Sequence, residues 1–517
     1  MNPGMQKKGF PGFFLFQIYY ICKDEQKPSY HSDYIHAFYG YGYDGHVHYA
    51  NASLRCCIFP FRFILGREHR VFHQPKTSNS LITQHIKYTF MSNYKFDTLQ
   101  VRAGAQPDPV TGACITPIYQ TSAYAFRDVE HGKKLFELEE AGNIYSRLGN
   151  PTADVLEQRI AALEKGTAAV SATCGMSAQF LTISSICNAG DNIISSMSLY
   201  GGTFNQFKVT LPKLGINVKL NKCNNREEIE SLIDENTKAI YVETIANSDF
   251  SVPDFQMLSE ICKEHKILFI VDNTFGCAGY VCSPVDFGAN IICHSATKYI
   301  GGHGNSLAGI IVDCGNFNWF ESGKYPQLTE PCPSYHNIKF AEHFGNCAFA
   351  AYVRCVALRD FGSCLSPFNA FLVLTGCETL SLRCQRVCDN TLALAKWLEQ
   401  HPMVEKVNYP GLESHPSHQN ALKYLRNGFG GVFTVDLKVS REDAGKFVNS
   451  LKLYTLLTNL GDNRSLISHP ATTTHGQLSD EELRSIGIAP GTLRISVGIE
   501  DIEDLIADFQ QALDSIA

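Results

Sequence analysis

Five short apolar runs constrain the fold of this 517-residue chain more than any other feature. They are TAAVSATCGM (167–176), DNIISSMSLYGG (191–202), KAIYVET (238–244), KILFIVDNT (266–274) and ANIICHSATK (289–298). Each ends in polar or glycine-rich text, and helical text lies between them. Nearly continuous apolar strands interleaved with helices mean a mostly parallel sheet covered on both faces. The expected class is therefore α/β, and ligands of such sheets bind beyond the carboxyl ends of the strands. A helix precedes the first run. Asn150-Pro151 is an N-cap with proline at the first helical position, and Val155, Leu156, Ile160 and Leu163 form its stripe. Gly166 is expected to end it.

After about residue 360 the pattern changes. Long helical text, ETLSLRCQRVCDNTLALAKWLEQ, precedes the strand-like GGVFTVDLKV. Ser479 and Glu482 have capping-box spacing. A last helix places Ile502, Leu505, Ile506, Phe509 and Leu513 on one side. These features predict a smaller α+β domain closing over the first.

The first 90 residues differ in kind. They hold ten Lys and Arg against five Asp and Glu, in a chain whose net charge is -7. Periodicity is poor there and no domain can be built from it. Lys7 and Lys8 before GFPGFFLFQIYYIC resemble the charged and apolar regions of a signal peptide. The competing expectation, which we favour, is that the segment is not part of the working protein. Globular patterning begins at Met91. The domain layout expected is an extension over 1–90, an arm over 91–150, a large domain over 151–360 and a C-terminal domain over 361–517.

The acidic balance argues against nucleic acid or an anionic membrane as partner, and no apolar stretch is long enough to span a bilayer. The 19 cysteines are scattered, without a CxxC pair. That usage reads as reduced thiols of a cytoplasmic protein. Cys384 and Cys388 stand one helical turn apart but lack a second pair, and His469 and His475 in SHPATTTH are wrongly spaced for a helical metal pair. No metal is expected.

Chemistry collects at the strand ends. Cys174-Gly175-Met176 follows a strand and opens a helix, so its free amides suit a phosphate. Ser295 and Thr297 add hydroxyls just before Lys298. Asp272 ends the most apolar strand, where a carboxylate is costly without a cationic partner. Tyr200, backed by glycines, leaves a ring face free. Taken singly these are an ordinary tight turn, a helix cap and a solvated loop lysine. Together they match what pyridoxal 5'-phosphate needs: phosphate donors, a stacking ring, an acid for the pyridine nitrogen, and a lysine for its aldehyde.

The texts YSRLGNPT, LYGGT, VDNTF, HSATKYIGGHG and LRISVGIE resemble the Cys/Met-metabolism group of fold-type I pyridoxal-phosphate enzymes, from about Phe96 to the C-terminus. Within that group AGAQPDPVTGACITPIYQTSAYAF, NLGDNRSLISHPATTTH and the insert around PQLTEPCPSYH resemble the O-acetylhomoserine sulfhydrylases. The resemblance implies a seven-stranded, mostly parallel sheet in the large domain. It implies that Lys298 forms the Schiff base and acts as catalytic base. Asp272 pairs with the pyridine nitrogen, Tyr200 stacks on the ring and assists proton transfer, and Asn247 approaches the ring hydroxyl. Gly175, Met176, Ser295 and Thr297 hold the phosphate. Tyr145 and Arg147, in the 91–150 arm, reach the phosphate of a neighbouring subunit, so the active unit is a homodimer and the assembly a homotetramer. Arg494 and Asn459 bind substrate. Two positions depart from the group: Cys174 replaces a common serine, and Ser248 replaces a proline.

The implied reaction is γ-replacement of O-acetyl-L-homoserine by sulfide, giving homocysteine and acetate in methionine and cysteine biosynthesis. O-acetylserine is a possible second donor. Cystathionine γ-synthase and methionine γ-lyase are the same-fold alternatives, and a non-catalytic relative is a third. The γ-lyases usually carry a cysteine where this chain has Gly202. N-terminal sequencing of the native protein is expected to begin at or near Met91, and a mature chain starting well upstream would refute that reading.

Overall fold

The computed structural model describes residues 94–516 apart from His475 and Ile486. The expected 1–90 extension, with Lys7 and Lys8, and Met91 lie outside the described residues, as does His475.

All five apolar runs contain strands: β1 (Ala168–Ala172), β2 (Asn192–Ser196), β4 (Thr237–Glu243), β5 (Leu268–Asp272) and β6 (Ile291–Ser295). Two more, β3 (Asn217–Asn221) and β7 (Gly309–Asp313), complete a seven-stranded sheet of order β1-β7-β6-β5-β4-β2-β3. Only β7 is antiparallel to its neighbours, β1 and β6; the other pairs are parallel. Successive residues of one strand enter opposite cores, which is why these strands read as unbroken apolar text. Ile240 and Phe269 pack on one face with Ile160 and Leu258. Tyr241 and Ile270 pack on the other with Leu181 and Phe349.

A second, five-stranded sheet holds β8 (Val404–Asn408), β9 (Val432–Leu437), β10 (Thr455–Leu456), β11 (Leu466–Ser468) and β12 (Thr492–Ser496), in the order β10-β11-β12-β9-β8. Its core joins Phe433, Val435, Leu493 and Ile495 to Leu394 and Leu398 of the helix Leu380–Glu399. The final helix, Ile502–Asp514, adds Leu505, Phe509 and Leu513 to that core, with Ile502 and Ile506 packed at its edge. Ser479 and Glu482 form the reciprocal capping box, through N–H donations of 2.8 and 3.2 Å. No helix among the described residues is long and apolar enough to cross a membrane.

The helix Pro151–Leu163 starts as its sequence dictates, with Asn150 Oδ1 accepting the Thr152 N–H at 3.0 Å. Its end differs from expectation. Lys165, not Gly166, takes the left-handed conformation (φ 58°), and Gly166 N–H closes the turn onto the Ala161 carbonyl at 2.8 Å. The glycine is required by crowding instead, because a Cβ there would stand 2.3 Å from Val312 Cγ1 and 2.9 Å from the Asp313 carbonyl oxygen. Gly166→Ala is therefore expected to destabilise the protein by about 1–3 kcal/mol through overpacking, and Asn150→Ala by about 1 kcal/mol through the lost cap. Urea unfolding of each variant checks both.

Candidate active site

Parallel register brings the carboxyl ends of β4, β5 and β6 into line. Glu243 pairs with Asp272, and Asp272 with Cys293, two residues short of Ser295. The chain then leaves β6 and returns antiparallel as β7, with Ser295 opposite Gly309. Lys298 sits on the loop between them, which the β6–β7 pairing closes.

The Lys298 amine donates to Oδ1 of Asn459, which lies between β10 and β11 of the second sheet. Burial, followed by the positive charge of Arg494, holds its pKa below the usual lysine value. Such an amine is more readily neutral, as a nucleophile or base requires. Arg494, on β12, donates from Nη2 to Asn247 Oδ1 at 3.4 Å. It has no ion-pair partner among the described residues, and burial lowers its pKa. A guanidinium held this way is free to take a carboxylate in its planar fork.

Asp272 also lacks a basic partner among the described residues. Its Oδ1 accepts the Thr274 N–H at 3.0 Å and the Thr274 hydroxyl at 2.5 Å. Its Oδ2 receives only a long hydrogen bond, 3.4 Å, from the Tyr241 hydroxyl. Burial pushes its pKa up, and the Thr274 hydrogen bonds oppose that. A buried carboxylate with one oxygen nearly unused suits a cationic N–H.

The helix Gly175–Ile186 begins at the end of β1 without a side-chain cap, since Cys174 caps nothing. The first-turn amides of Gly175 and Met176 lack intrahelical acceptors, as at any helix N-terminus, which suits them to an anion. Gly175 is flush against β6, where a Cβ would lie 2.7 Å from Ser295 Cβ. Ser295 donates its backbone N–H to Thr274 Oγ1 at 2.9 Å, and its hydroxyl has no partner among the described residues. Thr297 is more engaged than expected: its hydroxyl donates to the Ala308 carbonyl at 3.2 Å and accepts the Ala308 N–H at 3.0 Å. Helix-end amides, hydroxyl, unpaired acid and depressed amine are the donor set that a pyridoxal phosphate requires, and the residues fit it.

Tyr200 leads into the helix Gly201–Asn205 and is 51% exposed. Its N–H donates to Glu243 Oε1 at 2.6 Å, while the Asn247 N–H donates to Glu243 Oε2 at 2.8 Å. Tyr145 and Arg147 are not brought to this cluster within one chain. Tyr145 bridges to Ala123, and Arg147 donates to the Arg359 carbonyl and lies over the Tyr145 ring at 5.4 Å.

Three contributors escaped the sequence reading. Glu243 lies in the ETIAN text from which only Asn247 was taken; a lone acid at the end of an apolar strand was its signal. The Tyr241 hydroxyl inside β4 was another such signal. Ser177, bonded to Thr173 Oγ1 at 2.9 Å, adds a hydroxyl to the first turn of the helix Gly175–Ile186. Of the two histidines considered for metal, His469 instead bonds the Pro490 carbonyl at 2.8 Å.

A family model described as Cys/Met metabolism PLP-dependent enzyme matches residues 97–514. A homocysteine synthase of Schizosaccharomyces pombe is 51% identical over 420 residues, covering 81% of this chain and 98% of its own. O-acetyl-L-homoserine sulfhydrylase 1 of Thermus thermophilus is 50% identical over 420 residues, covering 81% of this chain and 100% of its own. A solved Campylobacter jejuni structure, assigned as an O-acetylhomoserine (thiol)-lyase and carrying a pyridoxyl-lysine monophosphate, superposes with TM-score 0.77. It is 37% identical and covers 81% of this chain and 100% of that one.

The electrostatics of Lys298 give a pH prediction. Uptake of pyridoxal phosphate by the cofactor-free protein should rise with pH through a midpoint below that of a free lysine. Arg494→Gln removes a positive neighbour, so the midpoint should move up. Stopped-flow absorbance against pH measures both, and an unmoved midpoint contradicts the assignment.

Proposed function

Because the chain belongs to the Cys/Met-metabolism family of PLP-dependent enzymes, we propose that it catalyses γ-replacement on O-acetyl-L-homoserine. Hydrogen sulfide displaces acetate from Cγ and L-homocysteine forms, a step of methionine and cysteine biosynthesis. The observation that carries this choice is the match, at about half identity over 81% of this chain and 98–100% of the relatives, to a homocysteine synthase and an O-acetyl-L-homoserine sulfhydrylase.

When bound, pyridoxal phosphate supplies an electron sink for the negative charge that develops at substrate Cα. The chain's own residues do the rest. The Gly175 and Met176 amides, with Ser295 and the neighbouring Thr297, would hold the phosphate. Asp272, whose Oδ2 receives only a 3.4 Å hydrogen bond from Tyr241, would hold the pyridine N–H. Tyr200 would stack on the ring, and Asn247 would approach its hydroxyl.

Arg494 binds the substrate carboxylate, and Asn459 orients both the substrate and the Lys298 amine. Lys298, neutral at lower pH than a solvated lysine, takes the proton from Cα and returns it later in the cycle. Tyr200 assists in moving protons near Cγ. The carbon–oxygen bond to acetate breaks and a carbon–sulfur bond to sulfide forms, with no change of oxidation state. The sulfur is external, so no cysteine of the chain is consumed.

Tyr145 and Arg147 extend from the 91–150 arm and, finding no place in their own chain's cluster, serve the phosphate of a neighbouring subunit. The working unit is then at least a homodimer, with a homotetramer as the full assembly. The large domain spans 151–360 and the C-terminal domain 361–517, and residues 1–90 take no part. We place the enzyme in the cytoplasm, a reading supported by the free thiols of all described cysteines.

Product analysis with sulfide and each acyl donor tests the reading. Homocysteine should form from O-acetyl-L-homoserine, and Lys298→Ala should lose the visible cofactor band and at least about 10²–10⁴-fold in kcat. Ammonia and an α-keto acid formed without sulfide would instead identify a γ-lyase, and cystathionine formed preferentially from cysteine would identify a synthase.

A further inference from the structure

Glu243 is a buried acid to which the chemistry above gives no task. It ends β4, and its register partner across β5 is Asp272. Like charges directly opposite on a sheet are destabilising, and burial adds a desolvation cost to each. Burial, then the negative charge of Asp272, push the Glu243 pKa up, and the N–H groups of Tyr200 and Asn247 oppose that shift. No basic side chain forms an ion pair with it among the described residues. A neutral or apolar side chain at this position would remove the conflict, so the carboxylate calls for a reason.

Its contacts supply one. Oε1 accepts the Tyr200 N–H at 2.6 Å and Oε2 accepts the Asn247 N–H at 2.8 Å. Tyr200 belongs to the turn after β2 and Asn247 to the turn after β4, so one carboxylate joins two separate segments at the rim. Hydrogen bonds to an ionised acceptor are short and about twice as strong as neutral ones. Only a carboxylate offers an acceptor on both sides; an amide of the same shape would turn a donor toward one of the two N–H groups. The link continues, because Asn247 Oδ1 accepts from Arg494 Nη2 at 3.4 Å.

We propose that Glu243 is a positioning residue for the cofactor ring, tying the backbone of Tyr200 to that of Asn247 so that the two keep one spacing. The inference rests on the pyridoxal-phosphate reading. Glu243 touches neither substrate nor reacting atoms; it acts through the two residues it clamps.

The test titrates cofactor-free, full-length enzyme with pyridoxal phosphate, following visible absorption and circular dichroism, for Glu243→Gln, Tyr200→Ala and the double variant. Glu243→Gln is expected to weaken cofactor binding about ten- to hundredfold and to reduce the dichroism of the bound cofactor. On the Tyr200→Ala background the same substitution should cost much less, because the ring it positions is gone. Equal factors on both backgrounds, or unchanged affinity in Glu243→Gln, would overturn the proposal. Should Glu243→Gln not fold, Glu243→Asp, which keeps the charge but cannot reach both amides, runs the same cycle with the same expectations. A wild-type protein that binds no pyridoxal phosphate defeats the cofactor reading itself, an outcome distinct from a wild type that binds it and a variant that binds it equally well.

Discussion

Two carboxylates lie side by side at the ends of β4 and β5, and neither forms an ion pair among the described residues, although His294 acts on Asp272 and Arg494 on Glu243 from a distance. In a protein interior an uncompensated charge is among the most expensive features a fold can carry. Glu243 is met by two backbone amides. Asp272 is met by Thr274 on one oxygen and only weakly by Tyr241 on the other. That residual deficit is what the site is organised around. The neighbouring cations, Lys298 and Arg494, donate to Asn459 and Asn247 and form no ion pair with either acid among the described residues.

Much of this arrangement was legible in the sequence because it rests on local text. The strands β1, β2, β4, β5 and β6 are apolar on both faces, and such runs announce themselves. The edge strand β3, NVKLN, buries little and alternates, so it passed as connection. β7, GIIVD, follows a glycine-rich loop directly and merges with it in one dimension. Lys298, Asp272 and the Gly175 turn were legible because small residues and a lone acid at strand ends have few structural excuses. Glu243 left the same mark, a lone acid at the end of an apolar strand, but its contacts come from pairing across strands and from amides of another segment, which the local text does not carry. Gly166 was expected to end its helix, whereas Lys165 takes the left-handed conformation and the constraint on Gly166 is the side chain of Val312, nearly 150 residues away.

Tyr145 and Arg147 mark a different limit. Their motif is plain in the text, and the expectation set them against the phosphate of a neighbouring subunit; within one chain they lie beside Ala123 and Arg359, away from Lys298.

The cluster is also composite in origin. Lys298, Asp272 and Gly175 stand on the seven-stranded sheet, whereas Arg494 and Asn459 come from the smaller one, with its own separate core. The two sheets are nevertheless not packed apart, since Val387, Val432 and Leu460 belong to the same buried cluster as Ile240, Phe269 and Tyr299. A change that loosens this shared cluster would shift Lys298 and Arg494 against each other, so the spacing between the two cations is a property of the joint and not of either sheet alone.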